Sequence, residues 1–292
     1  MPTALKLKPP QLDCGGRVLD LSQARVMGIL NITPDSFSDG GLLHTAGRPD
    51  RDKALSLAEK MLAEGASIID VGGESTRPGA SKVTLQEELD RVLPIIEAIS
   101  ESLDVIISVD TSRPELMRAA ASAGAGLLND VRALSLEGAV EAARDSGLPV
   151  CLMHMQGQPG TMQAAPRYDN VVEEVRDWLQ CRAQHCIEQG IPASQIILDP
   201  GFGFGKSAEH NLMLLNRLSQ LLVLGFPVLV GLSRKSLIGK VLGREVDQRL
   251  AGSLALASIA ALKGASIIRV HDVAETCDAI RLCEAVQGEA LE

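Results

Sequence analysis

The chain has 292 residues, 46% of them hydrophobic and only six of them Phe, Trp or Tyr, so its core must be built from Val, Ile, Leu and Ala. Thirty-seven acidic against 28 basic residues leave a formal charge of -9, which argues against the extended basic face that a nucleic-acid partner needs. The longest apolar stretches, 221–232 and 251–262, run for about a dozen residues, too short to cross a bilayer.

The N-terminal segment "MPTALKLKPPQLDCGGR" has no apolar signal-like core, so a cytoplasmic location is expected. Segment 1–24 is expected to form a hairpin or plug. The first apolar run, "RVMGILNIT" (25–33), gives way to the polar "PDSFSDGG" and then to a helical pattern over 50–64. "SIIDVGG" (67–73) precedes a helix over 84–101, where Thr84 and Glu87 have capping-box spacing. "VIISVDT" (105–111) leads to a helix over 114–123 that opens on Pro114. The rhythm continues with "LLNDV" (127–131) and helix 136–145, "PVCLMHM" (149–155) and helix 169–189, and "QIILDPG" (195–201) and helix 208–224. It ends with "PVLVGLSRK" (227–235) and helix 246–263, then "SIIRVHD" (266–272) and helix 273–287. Gly just before the next strand, in "AEGAS", "SAGAG", "DSGLP" and "LKGAS", marks helix stops. Eight β-strand and α-helix units in a chain of this length predict an α/β fold, a single-domain (β/α)8 TIM barrel over 1–292.

Such barrels carry their chemistry where the strands end. Here the ends supply Asn31, Gly72 and Gly73 with Glu74, Asp110, Asn129 with Asp130, His154, Asp199, Ser233 with Arg234 and Lys235, and Arg269 with His271 and Asp272. Asp110, Asn129 and Asp199 can converge as acceptors around a planar heterocycle with an amidine edge. Alternatively, the two aspartates cap the following helices or pair with Lys235. Arg77, Lys235, Arg269 and His271 read as an anion site, with Arg77 on the loop "GGESTRPGA", or else Arg77 is simply solvated. "DPGFGFGK" (199–206) lacks the spacing of a nucleotide-binding P-loop. Its Phe202 and Phe204 are either a contact surface for an aromatic ligand or a hydrophobic plug. His154 is either functional or a satisfied core histidine. The six cysteines show no CxxC pair, and Cys181, His185 and Cys186 lack the second ligand pair of a zinc clip. No nucleophile-elbow signature is present.

"VMGILNITPDSFSDGG" and "GASIIDVGGESTRPGA" closely resemble the two signature stretches of the bacterial dihydropteroate synthases, and "SVDT", "LLNDV", "HMQGQPGTMQ", "DPGFGFGK", "GLSRKSLIG" and "RVHDV" follow in the same order. The resemblance implies condensation of 6-hydroxymethyl-7,8-dihydropterin diphosphate with p-aminobenzoate to give 7,8-dihydropteroate and diphosphate, a step of folate biosynthesis. It implies a pterin site of Asp110, Asn129, Met153, Asp199, Lys235 and Arg269. Asn31, Thr76, Arg77, Arg269 and His271 would bind the diphosphate, with Asn31 helping to hold Mg2+. Phe37, Thr76, Pro78, Phe204, Lys235 and Ser236 would receive p-aminobenzoate. Asp35, Arg77, Lys235, Arg269 and His271 would carry catalysis. The loops 33–47 and 74–83 would close over the ligands and exclude water.

Two other readings differ in kind: a pterin-binding homologue without turnover, and a pterin-dependent methyltransferase, which would need no diphosphate site. The stretch "RLAGSLALASIAALKGA" is apolar nearly all round, which points either to a homodimer contact, as the resemblance also implies, or to deep burial against the barrel.

Overall fold

The computed structural model describes residues 11–33, 44–45, 48–75, 83–157, 162 and 166–288. Strands β1 (Gln11–Cys14) and β2 (Arg17–Asp20) form an antiparallel hairpin, the expected plug. β3 (Arg25–Asn31) is the first barrel strand. After it come a short antiparallel pair, β4 (His44–Thr45) with β5 (Arg48–Pro49), and helix α1 (Arg51–Ala63). The alternation continues with β6 (Ile68–Gly72), α2 (Leu85–Ser102), β7 (Ile106–Asp110), α3 (Pro114–Ser122), β8 (Leu127–Asp130), α4 (Ala139–Ser146), β9 (Val150–Met153) and α5 (Val171–Glu188). β10 (Ile196–Asp199), α6 (Ala208–Asn216), α7 (Ser219–Leu222), β11 (Leu229–Val230), α8 (Ser236–Leu242), α9 (Leu250–Leu262), β12 (Ile267–Val270) and α10 (Val273–Gly288) complete it.

The eight barrel strands are parallel and run in the order β10-β9-β8-β7-β6-β3-β12-β11. A bridge between Leu198 and Val228, supported by Leu198 N donating to Pro227 O at 2.9 Å, joins β10 to β11 and closes the (β/α)8 barrel. No helix among the described residues is long and apolar enough to cross a membrane.

The alternation of side chains along each strand sorts the core into two shells. Outward-facing residues such as Leu30, Ile69, Val71, Ile107, Val109, Leu128 and Ile268 pack under the helices. The inward set Met27, Ile68, Ile106, Leu127, Cys151, Ile197, Leu229 and Ile267 contributes one side chain per strand and meets Leu12, Cys14 and Leu19 of the hairpin. This layer is an apolar floor that seals the N-terminal end.

Thr84 and Glu87 form the expected capping box, Pro114 opens α3, and the helices before Gly65, Gly124, Gly147 and Gly264 end where the sequence indicates. Several elements differ from expectation, among them α8, which was not expected, and α9, which starts at Leu250 rather than 246. The pattern over 208–224 breaks into α6 and α7 at Arg217 and Leu218. In the run 227–235 the strand is confined to 229–230, with Val228 bridging to Leu198, and the polar Ser233 and Arg234 lie beyond it, Arg234 with a φ of 55°. α4 starts at Ala139 rather than 136, because Asp130 accepts from the amides of Arg132 and Leu134 and holds that stretch in a turn.

Leu12 is only 2% exposed in the floor cluster. Leu12→Ala is expected to cost about 2–5 kcal/mol of stability in urea unfolding, the usual range for such a truncation. Ligand affinity at the opposite end of the barrel is expected to stay unchanged.

Candidate active site at the C-terminal rim

Two residues beyond the floor on each strand, the inward positions become Ile29, Asp70, Ser108, Asn129, Met153, Asp199, Gly231 and Arg269. The barrel thus changes within one layer from hydrocarbon to a ring of carboxylates, amide, hydroxyl and guanidinium. Asn31, Gly72, Asp110, Ser233 and His271 lie a further step toward the rim.

Arg269 organises this ring. Its Nε donates to Asp70 Oδ2 at 2.6 Å and its Nη2 to Asp110 Oδ2 at 3.0 Å, while Asn129 Nδ2 donates to the same Asp70 oxygen at 3.2 Å. Burial works against the guanidinium charge, but Asp70 and Asp110 together outweigh it, and the Arg269 pKa is raised. Burial pushes Asp110 up to about 7, with Asp70 and Asp130 adding to the shift and Arg269 opposing it. Neither candidate aspartate caps a helix: Arg113 precedes α3 and Ser207 caps α6. Asp199 instead accepts from Gly201 N at 2.7 Å, and burial raises its pKa.

The segment 199–206 wraps tightly around a buried ammonium. Lys206 Nζ lies 2.9 Å from His154 Nδ1 and donates to the carbonyls of Gly201 and Phe204, both at 3.0 Å. The backbone passes so close to the end of β9 that a Cβ on Gly201 (φ 67°) would lie 1.9 Å from His154 O, and one on Gly205 (φ 61°) 2.3 Å from Gln156 O. Only glycine fits at these two positions. His154 is the satisfied core histidine: burial and Lys206 lower its pKa to about 3, and its ring meets Trp178 edge-on at 5.0 Å. The two phenylalanines divide the two readings between them. Phe202 is a plug, 1% exposed. Phe204 is half-buried, with Lys235 Nζ 4.3 Å from its ring centroid. Lys235 Nζ also donates to Phe202 O at 2.6 Å, and burial lowers its pKa to about 8 although Asp199 opposes the shift.

On the other side of the rim, Ser233 Oγ and His271 Nδ1 are 3.0 Å apart, and Arg234 pairs with Asp272. Asn31 is half-buried in register with Gly72, which keeps the space between Asn31 and Asp110 clear: a Cβ there would meet Asp110 Cβ at 3.3 Å and Asn31 Oδ1 at 3.7 Å. Met153 is buried, and Ser236 is exposed at the start of α8. Asn31, Asp110, Asn129, Met153, Asp199, Phe204, Lys235, Ser236, Arg269 and His271 therefore gather at one end of the barrel. Asp35, Phe37, Thr76, Arg77 and Pro78 lie outside the described residues.

Two residues of the site escaped the sequence reading. Asp70 is a charge in the middle of the apolar run "SIIDVGG", a signal that attention to strand ends overlooks. Lys206 closes "DPGFGFGK", where the search was for a phosphate loop.

Lys206 makes the site's contribution to stability depend on pH. Burial lowers its pKa from 10.5 to about 7. Below that value both the folded and unfolded chains hold the proton; between the two values only the unfolded chain does, so stability rises with pH. Urea midpoints measured from about pH 7 to about pH 10 are expected to climb relative to those of Lys206→Met, which lacks this proton.

The family described as pterin binding enzyme matches residues 27–271. The dihydropteroate synthase of Escherichia coli strain K12 is 54% identical over 270 residues, spanning 92% of this chain and 94% of that protein. The Yersinia pestis dihydropteroate synthase, solved as a sulfonamide drug complex, superposes with a TM-score of 0.92 at 51% identity, covering 95% of this chain and 99% of that one. The Xanthomonas albilineans enzyme, solved with 4-aminobenzoic acid, gives 0.89 at 50% identity over 97% and 100% of the two chains; its complex with 7,8-dihydropteroate gives 0.86 at 48% over the same shares. With a family match spanning 27–271 and more than nine-tenths of the chain shared with these proteins, the chain belongs to the pterin binding enzymes, among the dihydropteroate synthases.

Proposed function

We propose that the rim pocket joins 6-hydroxymethyl-7,8-dihydropterin diphosphate to p-aminobenzoate, releasing diphosphate and forming 7,8-dihydropteroate. The chain is a transferase of folate biosynthesis. The observation that carries the reading is the ring of Asp70, Asn129, Asp199 and Arg269 one layer above an apolar floor, in a chain 54% identical to a dihydropteroate synthase. The polar groups of this ring suit a planar heterocycle.

Each residue has a role that its chemistry supports. Asp199 and Asp110 accept from the pterin donors, Asn129 offers its amide, and Lys235 donates from the opposite side. Met153 and Arg269 flank the ring faces. Asn31, Arg77, Arg269 and His271 draw on the diphosphate, with Thr76 beside them. As the C–O bond breaks, its electron pair leaves on diphosphate, and the electron-rich dihydropterin delocalises the positive charge on the methylene carbon. The aniline nitrogen then captures that carbon and releases a proton. No protein nucleophile is required. Phe37, Thr76, Pro78, Phe204, Lys235 and Ser236 bound the p-aminobenzoate pocket, and Asp35 works with its loop at the reacting centre. That pocket is a sulfonamide target, in keeping with the drug complex of the Yersinia relative.

Mg2+ fits the residues present as a cation carried mainly by the diphosphate. Among the described residues no three His, Cys, Asp or Glu side chains cluster as a metal cage, while Asn31 offers one amide oxygen at the rim. Bound there, Mg2+ would neutralise charge building on the leaving group. The six free thiols accord with the cytoplasm. For a homodimer, α9 and α10 supply the surface: Ile259, Leu262, Leu282 and Val286 are 40%, 47%, 69% and 74% exposed, and within α9 only Ser253, Ala257 and Ala260 are buried. Light scattering at micromolar concentration is expected to give twice the chain mass, and a monomer alone would refute the dimer.

Diphosphate release is expected to depend on p-aminobenzoate and Mg2+, and Asp199→Ala and Lys235→Ala are each expected to lower kcat/KM on the order of a hundredfold. Pterin binding without turnover would favour the non-catalytic homologue, and methyl transfer from methyltetrahydrofolate would favour the methyltransferase. The Lys235 ammonium is charged below its pKa of about 8, so kcat/KM is expected to fall as pH rises through that value. Lys235→Arg, charged throughout, is expected to lose this alkaline limb.

A further inference from the structure

Asp70 occupies the middle of β6 with 0% exposure, on the inward face of the barrel. Its Oδ2 receives both Arg269 Nε at 2.6 Å and Asn129 Nδ2 at 3.2 Å, so one carboxylate oxygen on β6 ties together a guanidinium from β12 and an amide from β8. These are two of the groups given to the pterin above. Fixing Nε leaves Arg269 only its terminal nitrogens for other partners, and one of those is on Asp110. Fixing the Asn129 Nδ2 turns its carbonyl oxygen away from Asp70, where it can face a ligand donor.

Neutralising Arg269 accounts for only one of the two oxygens of this carboxylate. Its Oδ1 is buried without a hydrogen-bond partner, as is Oγ of Ser108, its neighbour in register on β7. A half-satisfied buried carboxylate is costly, and its contact with Arg269 is what offsets that cost. The charge is retained for what it orients.

On the synthase reading above, we propose that Asp70 is a positioning residue for the pterin, holding the Arg269 guanidinium and the Asn129 amide in the orientation that receives the ring. It is not among the residues given to p-aminobenzoate, so its removal is expected to act on the pterin substrate alone.

The test uses full-length Asp70→Asn and Asp70→Ala, with 6-hydroxymethylpterin binding measured by calorimetry and steady-state constants measured for both substrates. Asp70→Asn keeps the shape and an acceptor for Asn129 but loses the charge facing Arg269. It is expected to weaken pterin binding and raise KM for the pterin diphosphate about tenfold or more, with the p-aminobenzoate KM within about twofold. The melting temperature is expected to fall, because Arg269 keeps only Asp110, so the asymmetry between the two substrates is the deciding readout. In an Arg269→Lys background, Asp70→Asn is expected to add less than about twofold, because the two residues act as one unit. Unchanged pterin binding in folded Asp70→Asn or Asp70→Ala would overturn the proposal. So would losses that multiply in full in the double variant, or equal losses for both substrates accompanied by a lowered melting temperature. A wild type that binds pterin but releases no diphosphate counts against the synthase reading alone, and the calorimetric arm still decides the role of Asp70.

Discussion

A guanidinium inside a parallel barrel has to be neutralised where it stands, and the whole pocket follows from how Arg269 meets that demand. Loss of water around a buried cation costs far more than the rest of the site can offset unless anions lie within hydrogen-bond reach. Arg269 projects from β12 and crosses β3 to find Asp70 on β6 and Asp110 on β7. Two charged contacts therefore tie β12 to β6 and β7 across the intervening β3. The same contacts fix which faces remain for a ligand: a planar guanidinium held by its edge presents its flat side.

That arrangement is stable only because the layer beneath it is dry. The inward residues of the floor are apolar on every strand, and the N-terminal hairpin caps them with Leu12, Cys14 and Leu19. Water cannot reach the ion pairs from below, so they are screened weakly and act at nearly full strength on whatever enters from the rim. The step from hydrocarbon to charge within two residues of each strand gives the pocket a defined depth. Loop 199–206 applies the same logic at smaller scale: the buried ammonium of Lys206 gathers carbonyls of Gly201 and Phe204, setting Phe202 inward and Phe204 beside Lys235.

Much of this was written in the order of residues. Apolar runs of five to nine residues separated by helical patterns are enough to predict the barrel, and the rule that strands end in chemistry finds Asn31, Asp110, Asn129, Asp199, Lys235, Arg269 and His271. The misses have physical causes. Asp70 lies two residues below the rim, where burial is decided by parity within the barrel rather than by the strand's end. Phe202 and Phe204 sit in a loop with no periodicity to say which turns inward. α8 spans only seven residues, "SLIGKVL", less than the window over which a 3.6-residue repeat declares itself. The paired part of β11 is two residues long because strand-like composition in "PVLVGLSRK" does not guarantee a neighbour to pair with.

The distribution of charge explains how an acidic protein can draw out a diphosphate. Asp70 and Asp199 stand deep in the pocket beside Arg269, and Asp110 joins them one layer nearer the rim, so that three carboxylates line the space around the ring. In the proposed reaction that end of the pocket faces the ring carrying positive charge as the bond breaks, and an electron-poor carbon is stabilised by fixed anions behind it. His271 and Asn31 stand farther out along the barrel axis, where the leaving group departs. The carboxylates beside the ring thus favour the cation that forms as diphosphate separates from it. A uniformly basic pocket would bind the diphosphate ester more tightly yet oppose the cation left behind. Acidic residues around the ring and cationic help at the rim favour the separated state over the intact ester, which is the difference that raises a rate rather than an affinity.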